Sequence, residues 1–193
     1  MILRRLSQSI KEQNWTAIVI EFVLLVVGVF LGIQVSNWNA ERETRQKSVV
    51  FTARLIADLK VEAWGYEYLI EYNRDVLANA RRALDGFSGE KPMTDEQLLI
   101  SAYRATQYES QDRRRATFDE LVSTGTIGLI TDQRLRETAT GVYSTTLIDQ
   151  TMNEAKQSEY RLLFRKALPA EIQQELLEKC GDHIVAPLDY AGI

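Results

Sequence analysis

TAIVIEFVLLVVGVFLGIQVS, residues 16–36, is 21 residues long and holds only two strongly polar side chains, Glu21 and Gln34. At about 1.5 Å per helical residue it covers roughly 31 Å, the thickness of a bilayer's hydrocarbon core. Trp15 stands just before the run and Trp38 just after it, where amphipathic rings favour the membrane interfaces. The run therefore reads as a transmembrane helix over 16–38, with Trp15 and Trp38 as interface anchors. A cleavable signal peptide fits less well. The run is longer than an h-region of about 7–15 residues, and the Ser36-Asn37-Trp38-Asn39-Ala40 that follows offers no small-x-small cleavage site.

The short tail, 1–15, carries Arg4, Arg5 and Lys11, and Arg42, Arg45, Lys47 and Arg54 lie beyond the span. Counting positive charges near the two ends gives no clear winner. A short basic tail kept inside is the default topology. In a Gram-negative bacterium it places the soluble part, 37–193, in the periplasm, with the span in the inner membrane.

Turned 100° per residue, Ala17, Glu21, Leu25, Gly28, Gly32 and Ser36 share one face of the span. Gly28 and Gly32 form a GxxxG and Ser36 extends the small-xxx-small spacing, so a second transmembrane helix can approach closely here. Glu21 favours a side with a hydrogen-bonding partner, because a carboxyl group in hydrocarbon is expensive; it also lies near enough to the headgroups to snorkel. Gln34 points away from this face, near the other interface.

Working outward, the composition is that of an ordinary soluble chain, with 45% hydrophobic and 26% charged residues among 193. The mean hydropathy of −0.22 averages one membrane segment with a polar remainder. A net charge of −4 gives no global reason to bind nucleic acid, and a single cysteine excludes an internal disulfide framework.

Nothing breaks the helix after Trp38, since 39–85 contains no proline and one glycine, Gly65. The spacing predicts a stalk helix over 39–86, capped at Gly86. A 3-4 seam runs through Val49, Ile56, Leu59, Ala63, Tyr66, Ile70, Asn73, Leu77, Ala80 and Leu84, widened by Leu55, Leu69 and Val76. Asn73 reads as a solvent-edge residue. Phe87 to Met93 is a linker, and Thr94-Asp-Glu-Gln97 is a capping box for a helix reaching about Thr106. Asp112-Arg-Arg-Arg115 reads as a solvated, salt-bridged face.

A short helix over Phe118–Ser123 should stop at Gly125, with Ile127, Leu129 and Ile130 tucked in as an apolar loop and Thr131-Asp132 capping the next helix. The glycines here lack a Gly-Lys-Ser/Thr ending and are not a phosphate loop. One helix is expected from there to about Ala167, despite the weak propensity of 138–146. Pro169 ends it and starts a last helix through Cys180, stopped by Gly181. The tail, 182–193, has no regular period. The expected fold is all-α: one N-terminal transmembrane helix continuing as a long stalk into a small antiparallel helical bundle, completed by 87–181.

Two motifs resemble an uncharacterised family of bacterial single-span membrane proteins classed as a domain of unknown function. The first is Glu21-Phe-Val-Leu-Leu-Val-Val-Gly28 continuing to Gln34-Val-Ser-Asn37-Trp38-Asn39, similar to a Glu, an apolar run with Gly, then Gln-x-x-Asn-Trp-Asn. The second is Phe118-Asp-Glu-Leu121-Val-Ser-Thr-Gly125 followed by Leu129-Ile130 and Leu135-Arg136, similar to Leu-x-x-Ser-Gly…Leu-Ile…Leu-Arg. Ala40 and Thr124 depart mildly from the pattern. The resemblance implies an anchor with a helical domain and carries over no catalytic residue.

Cys180 and the sole histidine, His183, give two ligands where zinc needs three or four. Pairs such as Asp119-Glu120 and Glu175 with Glu178 are what solvated helix faces produce. No nucleophile elbow, metalloprotease helix or dinucleotide fingerprint occurs. The expectation is therefore no catalytic, cofactor-binding or metal site. The chain reads as a membrane-anchored interaction protein, an accessory or scaffolding subunit whose partners are the lipid bilayer and other transmembrane helices. The alternative is a ligand-sensing bundle that signals through a partner.

Overall fold

A computed structural model of the chain describes residues 15–110 and 112–193. Arg4, Arg5 and Lys11 of the basic tail lie outside the described residues, as do the side chains of 16–18, Ala17 among them. Seven α-helices and one 3-10 turn follow in order: α1 Trp15–Ser88, α2 Asp95–Arg104, α3 Ala116–Ser123, the turn Ile127–Leu129, α4 Gln133–Ser144, α5 Leu147–Lys156, α6 Glu159–Ala167 and α7 Ala170–Cys180. No strand occurs among the described residues. The protein is all-α, a long N-terminal helix followed by a helical bundle. Contacts divide it into two compact units, one running through Val50 and the other Phe51–Ile193. The second unit begins inside the segment read as a stalk, so 51–86 is bundle wall.

Local punctuation sets most helix ends. Thr94 accepts from the Gln97 N–H while the Gln97 side chain accepts from the Thr94 N–H, each at 3.2 Å, a complete capping box. Asp132 caps α4 by accepting from the Leu135 N–H at 3.1 Å. Gly125, at φ +69, closes α3: its own N–H reaches Val122 O and the Thr126 N–H reaches Leu121 O, the Schellman pattern. The same pattern ends α1 at Gly89, φ +75, with the Glu90 N–H on Asp85 O. The expected cap at Gly86 thus moves three residues on. Gly86 stays helical, and a Cβ there would lie 2.8 Å from the Met93 sulfur and 2.9 Å from a Leu98 methyl. Its smallness serves packing of the linker and α2.

The core is small: Leu55, Phe118, Leu121, Ile130, Ala139 and Tyr143, flanked by Phe51, Leu59 and Leu135. Burying a leucine, isoleucine or phenylalanine side chain contributes about 1.5–3 kcal/mol, so a core with four of these plus Ala139 and Tyr143 is modest. The face of α1 that joins the bundle runs through Leu55, Trp64, Tyr72, Asn79 and Ala83, all buried. The expected seam residues Ile56, Ile70, Leu77 and Leu84 are instead exposed. Polar contacts decide this rotation, because Glu62, Tyr72 and Asp75 must meet their partners on other elements.

Arg113 is the main such contact and departs from the solvated face expected of 112–115. Its side chain is only 12% exposed and pairs with Glu62, 9% exposed, at 3.4 Å. It also donates to the Val142 carbonyl at 2.6 Å and the Thr145 carbonyl at 3.1 Å, and lies 5.7 Å from the Tyr143 ring centroid. The C-terminal carbonyls of α4 otherwise lack helical partners. An arginine from a distant loop therefore caps α4, and the helix expected to reach Ala167 stops at Ser144. A second break follows at Gln157–Ser158, and α6 docks on α2 through Tyr160 Oη to Ala102 O at 2.9 Å and Arg161 to Thr106 O at 2.5 Å. Pro169 sits at the N-cap of α7 after an extended Leu168, as a pre-proline residue prefers.

Replacing Arg113 with Met leaves the Glu62 carboxylate buried without its partner, at a cost of about 3 kcal/mol. The expected fall in Tm is roughly 10 °C for a domain of this size. Adding Glu62→Gln should recover part of the loss, and circular dichroism melts of the four chains measure both effects.

Five tyrosines, Tyr68, Tyr72, Tyr103, Tyr143 and Tyr160, have phenol pKa values raised by burial above the usual 10.0. For Tyr72 a hydrogen bond to Asp182 adds to it. The folded state holds these protons more tightly than the unfolded state, so their contribution is fully present below pH 10 and falls as pH rises beyond it. Melting temperature should drop from about pH 10 upward, in step with tyrosinate absorbance at 295 nm. A melting temperature that stays level while the tyrosines ionise refutes this.

Candidate functional site

In the unit through Val50 every described side chain but one is exposed, and among the described residues no second element accompanies α1 there. Glu21, Leu25, Gly28, Gly32 and Ser36 lie on one helical face, and a Cβ built on Gly28 or Gly32 meets nothing within 4 Å. Trp15 is 79% and Trp38 67% exposed, and at 1.5 Å per residue they stand about 35 Å apart along the axis. The helix is long and apolar enough to cross a membrane, with a mean hydropathy of 2.4 over its most apolar window and none of that window buried. It is a candidate membrane span.

Within Phe51–Ile193, α1 leaves a second apolar face uncovered. Ile56, Ala63, Ile70, Leu77 and Leu84 recur every seventh residue and all are exposed. Beside the middle of this line, Tyr66, Leu69, Ile70, Asn73 and Leu77 form the floor of an apolar groove of about 420 Å³, walled by Leu147 and Met152 of α5. Asn73 stands at its solvent edge, as expected, and donates to Leu69 O of its own helix at 2.7 Å. The α5 wall was not foreseen, because 147–156 was merged into a longer helix.

A larger cleft of about 880 Å³ lies between α1, the 109–117 segment and the tail, with Trp64 and Tyr68 on one side and Arg54, Arg113 and Arg115 on another. Trp64 and Tyr68 stack at 5.4 Å with planes 6° apart. Of the four arginines that line it, three are engaged: Arg54 with Glu120 at 3.1 Å, Arg113 with Glu62, and Arg115 with Asp119 at 2.9 Å; the fourth, Arg114, is exposed and contributes its backbone N–H to Glu62. Burial raises the Glu109 pKa in the same cleft. This cleft joins elements more than it offers free charge to a ligand.

The tail, though irregular, is tied down through Asp182, which accepts from Tyr72 Oη at 2.9 Å and from Arg104 at 2.7 Å. Arg104 also pairs with Asp75 at 2.9 Å, so one guanidinium links α1, α2 and the end of α7. Arg104 carries no signal in the sequence, and Arg113 is hidden in a run of three arginines read as a solvated face; the partners of both lie 29 or more positions away. Cys180 and His183 lie beside this network, and among the described residues no group of three or more His, Cys, Asp or Glu stands ready to hold a metal ion.

Residues 21–169 match a family described as of unknown function, DUF6090. The chain belongs to that family. This agrees with the resemblance to an uncharacterised family read from its two motifs. The DUF6090 match takes in Gly28, Gly32, the seven-spaced line and the Arg113–Glu62 pair, and stops before α7, Cys180 and His183. No curated protein and no solved structure matches the chain.

Proposed function

We propose that this chain is a single-pass bacterial inner-membrane protein that works by association, as an accessory or scaffolding subunit of a homo-oligomer or larger membrane complex. In this reading the N-terminus is cytoplasmic and the Phe51–Ile193 unit periplasmic. The observation that carries it is the segment from Val19 to Ser36, apolar and exposed along its length, with the small-residue face of Gly28 and Gly32 open. In water such a surface is unstable; in lipid it is satisfied, and the glycine face allows close helix packing. Glu21 lies on the same face, where a second helix would offer its carboxyl group a hydrogen-bonding partner. A ligand-sensing bundle draws less support, because three of the four arginines around the large cleft are paired internally.

Alkaline phosphatase fused after Ile193 is expected to be active, as the enzyme folds in the periplasm and not in the cytoplasm. An inactive, well-expressed fusion would reverse the orientation. Gly28→Leu combined with Gly32→Leu is expected to shift the protein in mild detergent to a smaller species by size exclusion with light scattering. Assembly that is unchanged by both substitutions would sink the packing claim.

A further inference from the structure

The line Ile56, Ala63, Ile70, Leu77, Leu84 holds a strict seven-residue spacing over 29 residues and is exposed throughout. Ile56 is 39%, Ile70 52%, Leu77 50% and Leu84 67% exposed. Of the positions three residues on, Asn73 and Phe87 are exposed as well, whereas Leu59 packs against the core and Tyr66 accepts from Arg113. A straight α-helix drifts about 20° per heptad, so a sequence that keeps the period of seven is built to wind around another helix.

Length identifies that helix. The bundle helices α2 to α7 run 10, 8, 12, 10, 9 and 11 residues, so none can follow a line of 29. Among the described helices only α1 is long enough. We propose that the occupant of this face is α1 of a second copy, packed in parallel so that each of the five residues meets its own counterpart. The proposal rests on the membrane-anchored reading, since shared anchoring at the N-terminal end makes the two copies parallel.

The area argues the same way. A line of 29 residues is about 42 Å long, and a helix contact some 10 Å wide over that length buries roughly 400 Å² per copy. A stable pair formed from free solution needs about 800 Å² per partner. The face is thus too small for a freely diffusing partner and suited to one confined in the same membrane, where effective concentration is raised. Leu147 and Met152, which wall the groove beside Ile70 and Leu77, would cover one flank of the incoming helix. This also accounts for Leu147, 67% exposed at the start of α5.

Single cysteines test this in the full chain, expressed in its membrane with Cys180→Ser removing the one native thiol. Ile56→Cys, Ile70→Cys and Leu84→Cys are each expected to form a disulfide-linked species of twice 22.1 kDa under copper-phenanthroline oxidation. Ala78→Cys, also exposed but 100° round the helix from Leu77, is expected to stay monomeric. Ile70→Glu with Leu77→Glu, both at exposed positions that leave the bundle folded, should cut the Leu84→Cys dimer roughly tenfold, the factor that about 1.4 kcal/mol gives. Cross-linking at Ile70→Cys alone would mean antiparallel pairing and overturn the proposal, as would adducts of any other mass. Carbonate extraction of the same membranes separates the two claims. A chain that resists extraction yet yields only monomer overturns the pairing alone, whereas a chain released by carbonate overturns the anchoring on which it rests.

Discussion

The arrangement of the bundle depends on one buried ion pair, Arg113 with Glu62. Taking both charges out of water is costly and is offset only when the remaining donors and lone pairs are also satisfied. Here they are. Glu62 accepts from the Arg113 side chain and from the Arg114 N–H, while Arg113 spends its other nitrogens on Val142 O, Thr145 O and Tyr66 Oη. Tyr143 closes the circuit by donating to Arg114 O at 2.7 Å. Rotating α1 by one residue would bring another side chain to the place of Glu62 and break the bonds that Glu62 and Tyr66 make with Arg113 and Arg114. The pair therefore sets which face of α1 the bundle covers and, by exclusion, which face it leaves free.

That constraint bears heavily because the apolar core is too small to set the rotation by itself. Leu55, Leu121 and Ile130 are fully buried, but α1 carries comparable apolar side chains on its opposite side. Hydrophobic burial is non-directional and would accept either face. Hydrogen bonds are directional, so Glu62 at one end and the Tyr72, Asp75 and Arg104 cluster at the other select between them.

The same distinction separates what the sequence reveals from what it conceals. Helix ends written in adjacent residues were legible: Thr94 with Gln97, Gly125, Asp132 and Pro169 act within a turn of where they stand. The long helix and its apolar run were legible because a periodicity or an unbroken composition needs no partner to be recognised. The rotation of α1 was not, since a 3-4 pattern shows that a stripe exists without saying whether the bundle or something else covers it. The end of α4 was not either, because its capping group is Arg113, 29 residues upstream of Val142 in the chain. Three consecutive arginines look alike in sequence, and only the fold distinguishes half-buried Arg113 from exposed Arg114 and Arg115.

The most regular pattern in the soluble part thus lies on the face that the bundle does not use, while the face it does use is irregular and partly polar. This division is what two different packing problems require. The bundle helices run only 8 to 12 residues, and contacts between α1 and the rest of the bundle rest on particular groups such as Glu62 with Arg113, Asp75 with Arg104 and Tyr72 with Asp182. Irregularity costs nothing there. A partner that runs alongside for eight turns must meet the same chemistry at every repeat, and only a fixed period supplies it. Asn73 is the polar residue beside that line's exposed middle, and its amide donates to Leu69 O. It therefore need not demand a polar counterpart, and register between two anchored chains would follow from the common depth of their spans rather than from a buried polar contact.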